Sequence, residues 1–431
     1  MRLGVSLGLW QDRPAEEALL TARAADELGY DELWVGEMAT YDAFALATAI
    51  GLSTGRIGLT VGPLAVAVRD PMMIAMGVAS VAALVGRPVN VAVGTSSPTV
   101  VEEWHGRSRA RSAAVLREAV RALRPLLDGD KSDFSGECVK SRGYRLRLPA
   151  PRAELTVAAF GASAVRTAAT ADRMVLNLIT PASAARLTAD LRAAAQAGPA
   201  RTPAQAQDQG PAQAQDQAQD QARDQARDQA RDQARDQARD QARDQARDQA
   251  RDQARDQARD QAREQGQSQE QSQGQAREQT QGQAQGQARE QDRGQGQEQD
   301  RGKRRDATPA PARAPRVAAW VTAAVDPGRE AVDRIRRAVV GYLAAPGYGE
   351  MFIEAGYGDV VAFARTRPHP RELLAAIPDG LLESVALLGD VDAARERLRA
   401  YADAGVDEVA LVPVSTDADP GGVATLKALA R

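Results

Sequence analysis

The chain has one cysteine, Cys138, two histidines, and aromatic residues at only 4% of its 431 positions. A lone cysteine excludes an internal disulfide framework and a cysteine-built zinc cluster. The formal net charge is −3, so no basic surface points to nucleic acid as a partner. No apolar run is long enough to cross a membrane. Met1 leads directly into a strand-like stretch, without the charged start, apolar centre and cleavage site of a signal peptide. A cytoplasmic protein with no membrane partner is therefore expected. Motifs of the H-E-x-x-H, G-x-S-x-G and phosphate-loop kinds are absent.

The most informative absence is local. From 192 to 316 there is no aromatic, no methionine and no aliphatic side chain larger than alanine. Those 125 residues cannot build a packed core, which leaves 431 − 125 = 306 that can. The segment is built on the tetrapeptide Asp-Gln-Ala-Arg, most regular over 221–263. On a helix each Asp would sit three positions before an Arg, a favourable spacing, while each Arg sits four before another. A disordered or partly helical solvated insert is expected over 196–314, a tolerated repeat expansion. A binding or assembly arm is the alternative.

What remains, 1–195 and 315–431, alternates strand and helix. Strand-like runs fall at 2–9, 31–36, 57–61, 89–93, 155–160, 172–178, 316–325 and 407–414. Between them lie helical patterns closed by Gly29, Gly55, Gly86 and Gly405, or opened by Asp70-Pro71 and Asp326-Pro327. A short hairpin is expected near Tyr144. One junction recurs: Leu28-Gly29-Tyr30-Asp31-Glu32-Leu33 and Ala404-Gly405-Val406-Asp407-Glu408-Val409. Eight sequential units in about 300 residues predict an α/β fold, a (β/α)8 TIM barrel with a long low-complexity insert between helix six and strand seven. A doubly wound open sheet is the runner-up, disfavoured because no G-x-G-x-x-G follows the first strand.

In a barrel, working residues lie at the C-terminal ends of the strands. The fourth strand ends in Gly94-Thr95-Ser96-Ser97 before Pro98, and the fifth in Gly161-Ala162-Ser163. Both are small-residue turns opening helices, with Ser97 and Ser163 expected as caps. Two adjacent helix N-termini suit an anion such as a phosphate. Gly62-Pro63 interrupts the third strand, as a bulge, a strand end or a cis bond. Glu37 is a carboxylate at a strand end, and His105 follows the fourth-strand loop. His369, between two prolines, reads as surface.

The stretches LWVGEM, VRDP, VAVGTSSPTVVEEWHG and FGASAVRTAATADRMVLNL resemble the bacterial luciferase-like monooxygenase family, nearest to its deazaflavin (coenzyme F420)-dependent oxidoreductases. The resemblance covers about 1–195 and 315–430, and the insert has no counterpart in it. It implies the barrel, with a cofactor at its C-terminal mouth. It also implies a cis peptide at Gly62-Pro63, against the cofactor ring, and a phosphate held by Gly94, Thr95, Ser96 and Ser97 and by Gly161, Ala162 and Ser163. Relatives commonly carry an acid and then a histidine after strand two. Here the pair is Glu37-Met38, so proton handling falls to Glu37, His105, water or a substrate group. The expected function is hydride transfer between coenzyme F420 and an unidentified small organic substrate. The alternatives are an FMN-dependent monooxygenase, and a cofactor- or metabolite-binding barrel without turnover. A homodimer is admitted as the assembly.

Overall fold

The structure is a computed structural model that describes residues 1–7, 13–37, 39–197 and 314–431. The chain divides into two units, Met1–Ala200 with Pro309–Arg431, and Arg201–Thr308. The second unit, and with it the expected state of the repeat insert, lies outside the described residues.

Eight parallel strands close the first unit into a ring. In order around it they are β1 (Arg2–Ser6), β2 (Glu32–Val35), β3 (Gly58–Ala65), β4 (Val89–Gly94), β7 (Leu155–Ala158), β8 (Arg173–Asn177), β9 (Arg316–Val325) and β11 (Glu408–Pro413), which pairs back onto β1. This is the expected barrel. The hairpin β5 (Asp133–Ser135) with β6 (Lys140–Arg142) lies outside the ring, earlier than its expected place near Tyr144. An additional short strand, β10 (Ala386–Gly389), extends the edge of β9 beyond the end of β8, pairing with Thr322–Val325.

Side chains alternate across each strand, so one set faces the helices and the other the ring interior. The outer set is aliphatic: Val5, Leu33, Leu59, Val61, Val91, Val157, Leu176, Val321 and Leu411 are buried against the helical layer. Helices α1 (Glu17–Glu27), α2 (Ala43–Ser53), α3 (Pro71–Val85), α4 (Ser112–Leu127), α5 (Ala162–Ala168) and α6 (Pro181–Ala197) follow their strands. The Asp70-Pro71 start is as expected: the Asp70 carboxylate accepts the Met73 N–H at 2.9 Å, and Gly86 closes the helix with φ 74°. Asp42 caps α2 in the same way, accepting from Phe44 and Ala45.

α2 and α3 contain no charged residue, and their outer faces leave Leu52, Met73, Met76 and Leu84 exposed. A surface helix that is apolar on both sides has a face that solvent alone serves poorly.

After β9 the chain leaves the simple pattern. Helices α7 (Arg329–Leu343), α8 (Tyr348–Glu354), α9 (Gly358–Arg365), α10 (Pro370–Ala376) and α11 (Asp379–Val385) precede β10, and α12 (Val391–Asp403) then leads to β11. The far end of α7 and the start of α8 reach the C-terminal ends of β7 and β8. Tyr342 Oη lies 3.4 Å from Asn177 Nδ2, and the Tyr348 ring stacks at 4.2 Å on Phe160. This helical excursion therefore forms part of the wall of the C-terminal mouth.

Candidate active site at the barrel mouth

The C-terminal ends of β3, β4 and β7 meet through residues with almost no side chain. The Gly62–Pro63 bond in β3 is cis, as expected, and the β3–β4 register shifts between Val61 and Leu64. Gly62 has φ 112°, and a Cβ there would lie 2.2 Å from the Ala92 carbonyl oxygen, so only glycine fits. A Cβ on Gly94 would lie 3.1 Å from the Ala158 Cβ and 3.8 Å from the Pro63 Cβ. Gly62–Pro63, Gly94 and Ala158 thus form a continuous small-residue arc on three neighbouring strands.

Beyond that arc, Thr95 is half-buried, Ser96 sits at φ 57°, and Ser97 Oγ accepts the Val100 N–H at 3.2 Å. Ser97 caps as expected, but what it opens is a single π turn, Thr99–Trp104, with α4 starting later. The second turn differs from expectation. Gly161 is the N-cap residue of α5 and Ser163 makes no cap, because the helix begins at Ala162 and Ser163 already lies within its first turn. Gly161 offers no side chain to the first-turn N–H groups.

Glu37 is held rather than free. Arg69, the arginine of VRDP, donates Nε to both carboxylate oxygens at 2.9 and 2.8 Å, and its Nη2 bonds both Glu37 and Asp42. The guanidinium also lies 5.1 Å from the centroid of the Phe44 ring. Hydrogen bonds donated to Glu37 and Asp42 raise the Arg69 pKa further. Burial works against the charge on Asp42, but the N–H of Ala45 and the Arg69 guanidinium hold its carboxyl below the usual range. The two expected catalytic residues are thus not brought together. Glu37 is tied across the ends of β2 and β3, while His105 is exposed at the end of the π turn. Met38, Leu9 and Trp10 lie outside the described residues.

Inside the ring, below the mouth, lies a charged cluster that sequence reasoning missed. Arg173 is fully buried, and its guanidinium bonds Glu32 through both terminal nitrogens at 2.8 and 2.9 Å. It also bonds Glu408 at 3.1 Å, Thr156 Oγ1 at 3.0 Å and Thr60 Oγ1 at 2.9 Å, and lies 4.3 Å from the Trp34 ring centroid. Trp34 donates its Nε1–H to Glu408 at 2.9 Å. Burial raises the pKa of both carboxyls, but the Arg173 bonds more than offset this for Glu32, which is held low. Glu408 is left high, pushed up to about 7 by burial and by the Glu32 charge.

Above this cluster, Trp34 meets Trp320 edge to face at 5.7 Å. Trp320 is 8% exposed, and its Nε1–H has no hydrogen-bond acceptor in the protein. Ser6 Oγ, inward-facing on β1, is likewise buried and without a partner. An unpaired buried donor costs about 1–3 kcal/mol, so these two groups mark where the interior is polar without being satisfied by itself.

The family model for luciferase-like monooxygenases matches residues 2–291. The chain belongs to the luciferase-like monooxygenase family. A Mycobacterium tuberculosis relative, provisionally named a coenzyme F420-dependent oxidoreductase, is 29% identical over 149 residues, covering 35% of this chain and 41% of that protein. The chain thus spans less than half the length of this curated relative. Among solved structures, the coenzyme F420-dependent tetrahydromethanopterin reductase of Methanopyrus kandleri superposes with a TM-score of 0.62 at 12% identity, covering 100% of this chain and 97% of that one. The oxygenating constituent of 3,6-diketocamphane monooxygenase from Pseudomonas putida, a type II Baeyer-Villiger enzyme in complex with FMN, gives 0.53 at 13% identity, with coverage of 100% and 97%. At such identities the structures show the luciferase-like barrel alone.

The residues present suit a flavin-type group. The arc of Gly62, Pro63, Gly94 and Ala158 sets only small residues at the strand ends, and Ser6 and Trp320 offer polar atoms that the chain itself leaves unpaired. No group of three or more His, Cys, Asp or Glu side chains among the described residues is placed to hold a metal ion. No helix among them is long and apolar enough to cross a membrane.

Proposed function

We propose that this luciferase-like protein is an oxidoreductase that moves a hydride between a deazaflavin, coenzyme F420, and a small organic substrate. The observation that carries the reading is the small-residue arc at the ends of β3, β4 and β7, bordered by two turns rich in backbone N–H groups. Gly62, Pro63 and Gly94 would underlie the ring system. Thr95, Ser96 and Ser97, with Gly161, Ala162 and Ser163, would hold the phosphate of the cofactor tail. A bound deazaflavin supplies two-electron hydride chemistry, and the chain supplies binding, orientation and exclusion of water. Glu37 acts here as a brace: with Asp42 it fixes Arg69 across the rim, and it is not available to accept a proton while that pair is closed. The relative named as F420-dependent favours the deazaflavin over FMN.

Absorbance titration of the full chain with coenzyme F420 and, separately, with FMN tests the assignment. Saturable binding of F420 with none of FMN is expected. FMN binding alone would make the protein a flavin monooxygenase of the same family, and binding of neither would sink the proposal. The apolar outer face of α2 and α3 is the place at which the expected homodimer would form.

A further inference from the structure

Resting on that reading, the question left open is what handles the proton. Glu37 is closed against Arg69, and His105 is at the surface. A different group stands at the mouth. Asn177 is the last residue of β8 and faces inward, since Leu176 before it is buried in the outer layer. Its Nδ2 lies 3.4 Å from Tyr342 Oη. The three residues come from β8, α7 and α8, so the convergence is tertiary and not a product of local sequence. Tyr342 and Tyr348 meet edge to face at 4.8 Å, and Tyr348 rests on Phe160 at 4.2 Å. Phe160 follows β7, and a Cβ on Gly347 would lie 2.8 Å from its ring, so the stack is closed from both sides. On the neighbouring strand the register sets Trp320, with its unpaired N–H, beside Asn177.

We infer that Tyr342, oriented by Asn177 and buttressed by Tyr348, is the proton-handling catalytic residue of this site, and that its substrate presents a neutral carbonyl oxygen or the corresponding hydroxyl. None of Phe160, Asn177, Trp320, Tyr342 and Tyr348 carries a charge. Neutral donors match a neutral acceptor oxygen better than a carboxylate or phosphate, which would call for a cation. Burial raises the pKa of Tyr342 and of Tyr348, so both hydroxyls stay protonated at neutral pH. On the surrounding elements Arg336 pairs with Asp333 and Asp379, Glu350 with Arg365, and Glu354 with Arg186.

In the reducing direction the carbonyl carbon gains a C–H bond with the hydride, and the C=O π pair moves onto oxygen. The Tyr342 O–H bond breaks as its proton forms the new O–H bond, and the phenolate recovers a proton from water. Both electrons would come from the reduced deazaflavin, whose hydride-bearing C–H bond would break as it is oxidised and the carbonyl becomes an alcohol.

The test uses the full chain with reduced coenzyme F420 and two probes, cyclohexanone and butanal. Tyr342→Phe keeps the ring and its packing, so F420 binding should stay within about twofold of wild type, while oxidation of the reduced cofactor by the probes falls about 100-fold or more. Wild-type turnover should decline at high pH as Tyr342 ionises, and Tyr342→Phe should lack that limb. Ultraviolet difference titration of cofactor-free protein should show one fewer late-ionising tyrosine in the variant. Asn177→Ala should lower turnover without removing that tyrosine from the titration. Undiminished turnover in Tyr342→Phe overturns the inference. So does wild-type protein that binds F420 but reduces neither probe, an outcome that leaves the cofactor assignment standing. Failure of wild type to bind F420 fells the cofactor assignment itself, and with it this inference.

Discussion

Replacing Arg173 by methionine removes the one cation that is fully buried between two carboxylates. Its guanidinium makes five hydrogen bonds, to Glu32 twice and to Glu408, Thr156 and Thr60. Among the described residues the other cation paired with them is Arg2, 3.7 Å from Glu32 and 3.9 Å from Glu408, and its side chain is 42% exposed. Breaking a buried ion pair from one side costs about 3–5 kcal/mol, because the partner charge stays behind. For a barrel of this size that is a fall in Tm on the order of 10 °C.

The cost should depend on pH with a definite sign. In the wild type, Glu408 is raised by burial and by the Glu32 charge, so its contribution to stability is fully present below the ordinary carboxylate range and is lost as pH rises through about 7. Glu32 is lowered, so its contribution is present above the ordinary range and disappears only in strong acid. Without Arg173, Glu32 joins Glu408 on the raised side, and both must be buried charged or take up protons. The deficit of Arg173→Met should therefore be larger at pH 8 than at pH 5. Adding Glu32→Gln and Glu408→Gln should recover much of it, with the Trp34 N–H still accepted. Thermal unfolding followed by tryptophan fluorescence at the two pH values measures this. A deficit under about 1 kcal/mol, or one equal at both pH values, would refute the charged-cluster account.

Gly94→Val should abolish cofactor binding by absorbance titration while changing Tm little, because the added side chain enters the mouth against Ala158 and Pro63 rather than the outer core. Glu37→Gln should cost about 1 kcal/mol of stability, since Arg69 keeps Asp42 and one oxygen acceptor; a complete loss of turnover with unchanged stability would instead make Glu37 a reacting group. Leu84→Glu on the exposed face of α3, where Leu84 is 65% exposed, should convert a homodimer to a monomer in light scattering without lowering Tm. Deleting residues 201–308 should leave cofactor affinity unchanged, since every residue proposed to hold the cofactor lies in the other unit.

The barrel was legible because its signals are local and repeated. Apolar runs of strand length, glycine stops and the Asp70-Pro71 start each need only a few neighbouring residues to be read, and the structure keeps the range of β9 as the sequence predicts it, whereas α7 is opened by Gly328 and not by Asp326-Pro327. The small-residue arc was half legible: Gly62, Pro63 and Gly94 stand out in a strand context, whereas Ala158 does not, since an alanine in a strand looks like any other core alanine. Ser163 was misjudged as a cap because cap identity depends on which residue starts the helix, and a shift of two residues decides it. Asn177, Tyr342 and Tyr348 were invisible together. Asn177 lies 165 residues before Tyr342, and only the excursion before β10 brings the three to one place.

The buried cluster is the instructive case, because its signal was on the page and was read for the wrong property. The junctions Gly29-Tyr30-Asp31-Glu32 and Gly405-Val406-Asp407-Glu408 recur as helix stops, and Thr170-Ala171-Asp172-Arg173 is a third version of the same approach to a strand. In each, the aspartate accepts an N–H from the first two residues of the preceding strand in the ring: Asp31 from Leu3 at 2.9 Å, Asp172 from Leu155 at 2.7 Å, Asp407 from Val317 at 2.8 Å. With the aspartate fixed there, pleating turns the next residue into the ring. That residue is Glu32, Arg173 or Glu408, and two acids and one base meet at the same level by construction. A charged residue following such an aspartate is therefore a prediction of an inward-facing ion in a closed parallel ring. The cluster holds Trp34 through Glu408, and Trp34 meets Trp320 edge to face. The same capping that aligns the strands thus also fixes the tryptophan beneath the mouth, which ties a fold-building device at one end of the barrel to the geometry of the site at the other.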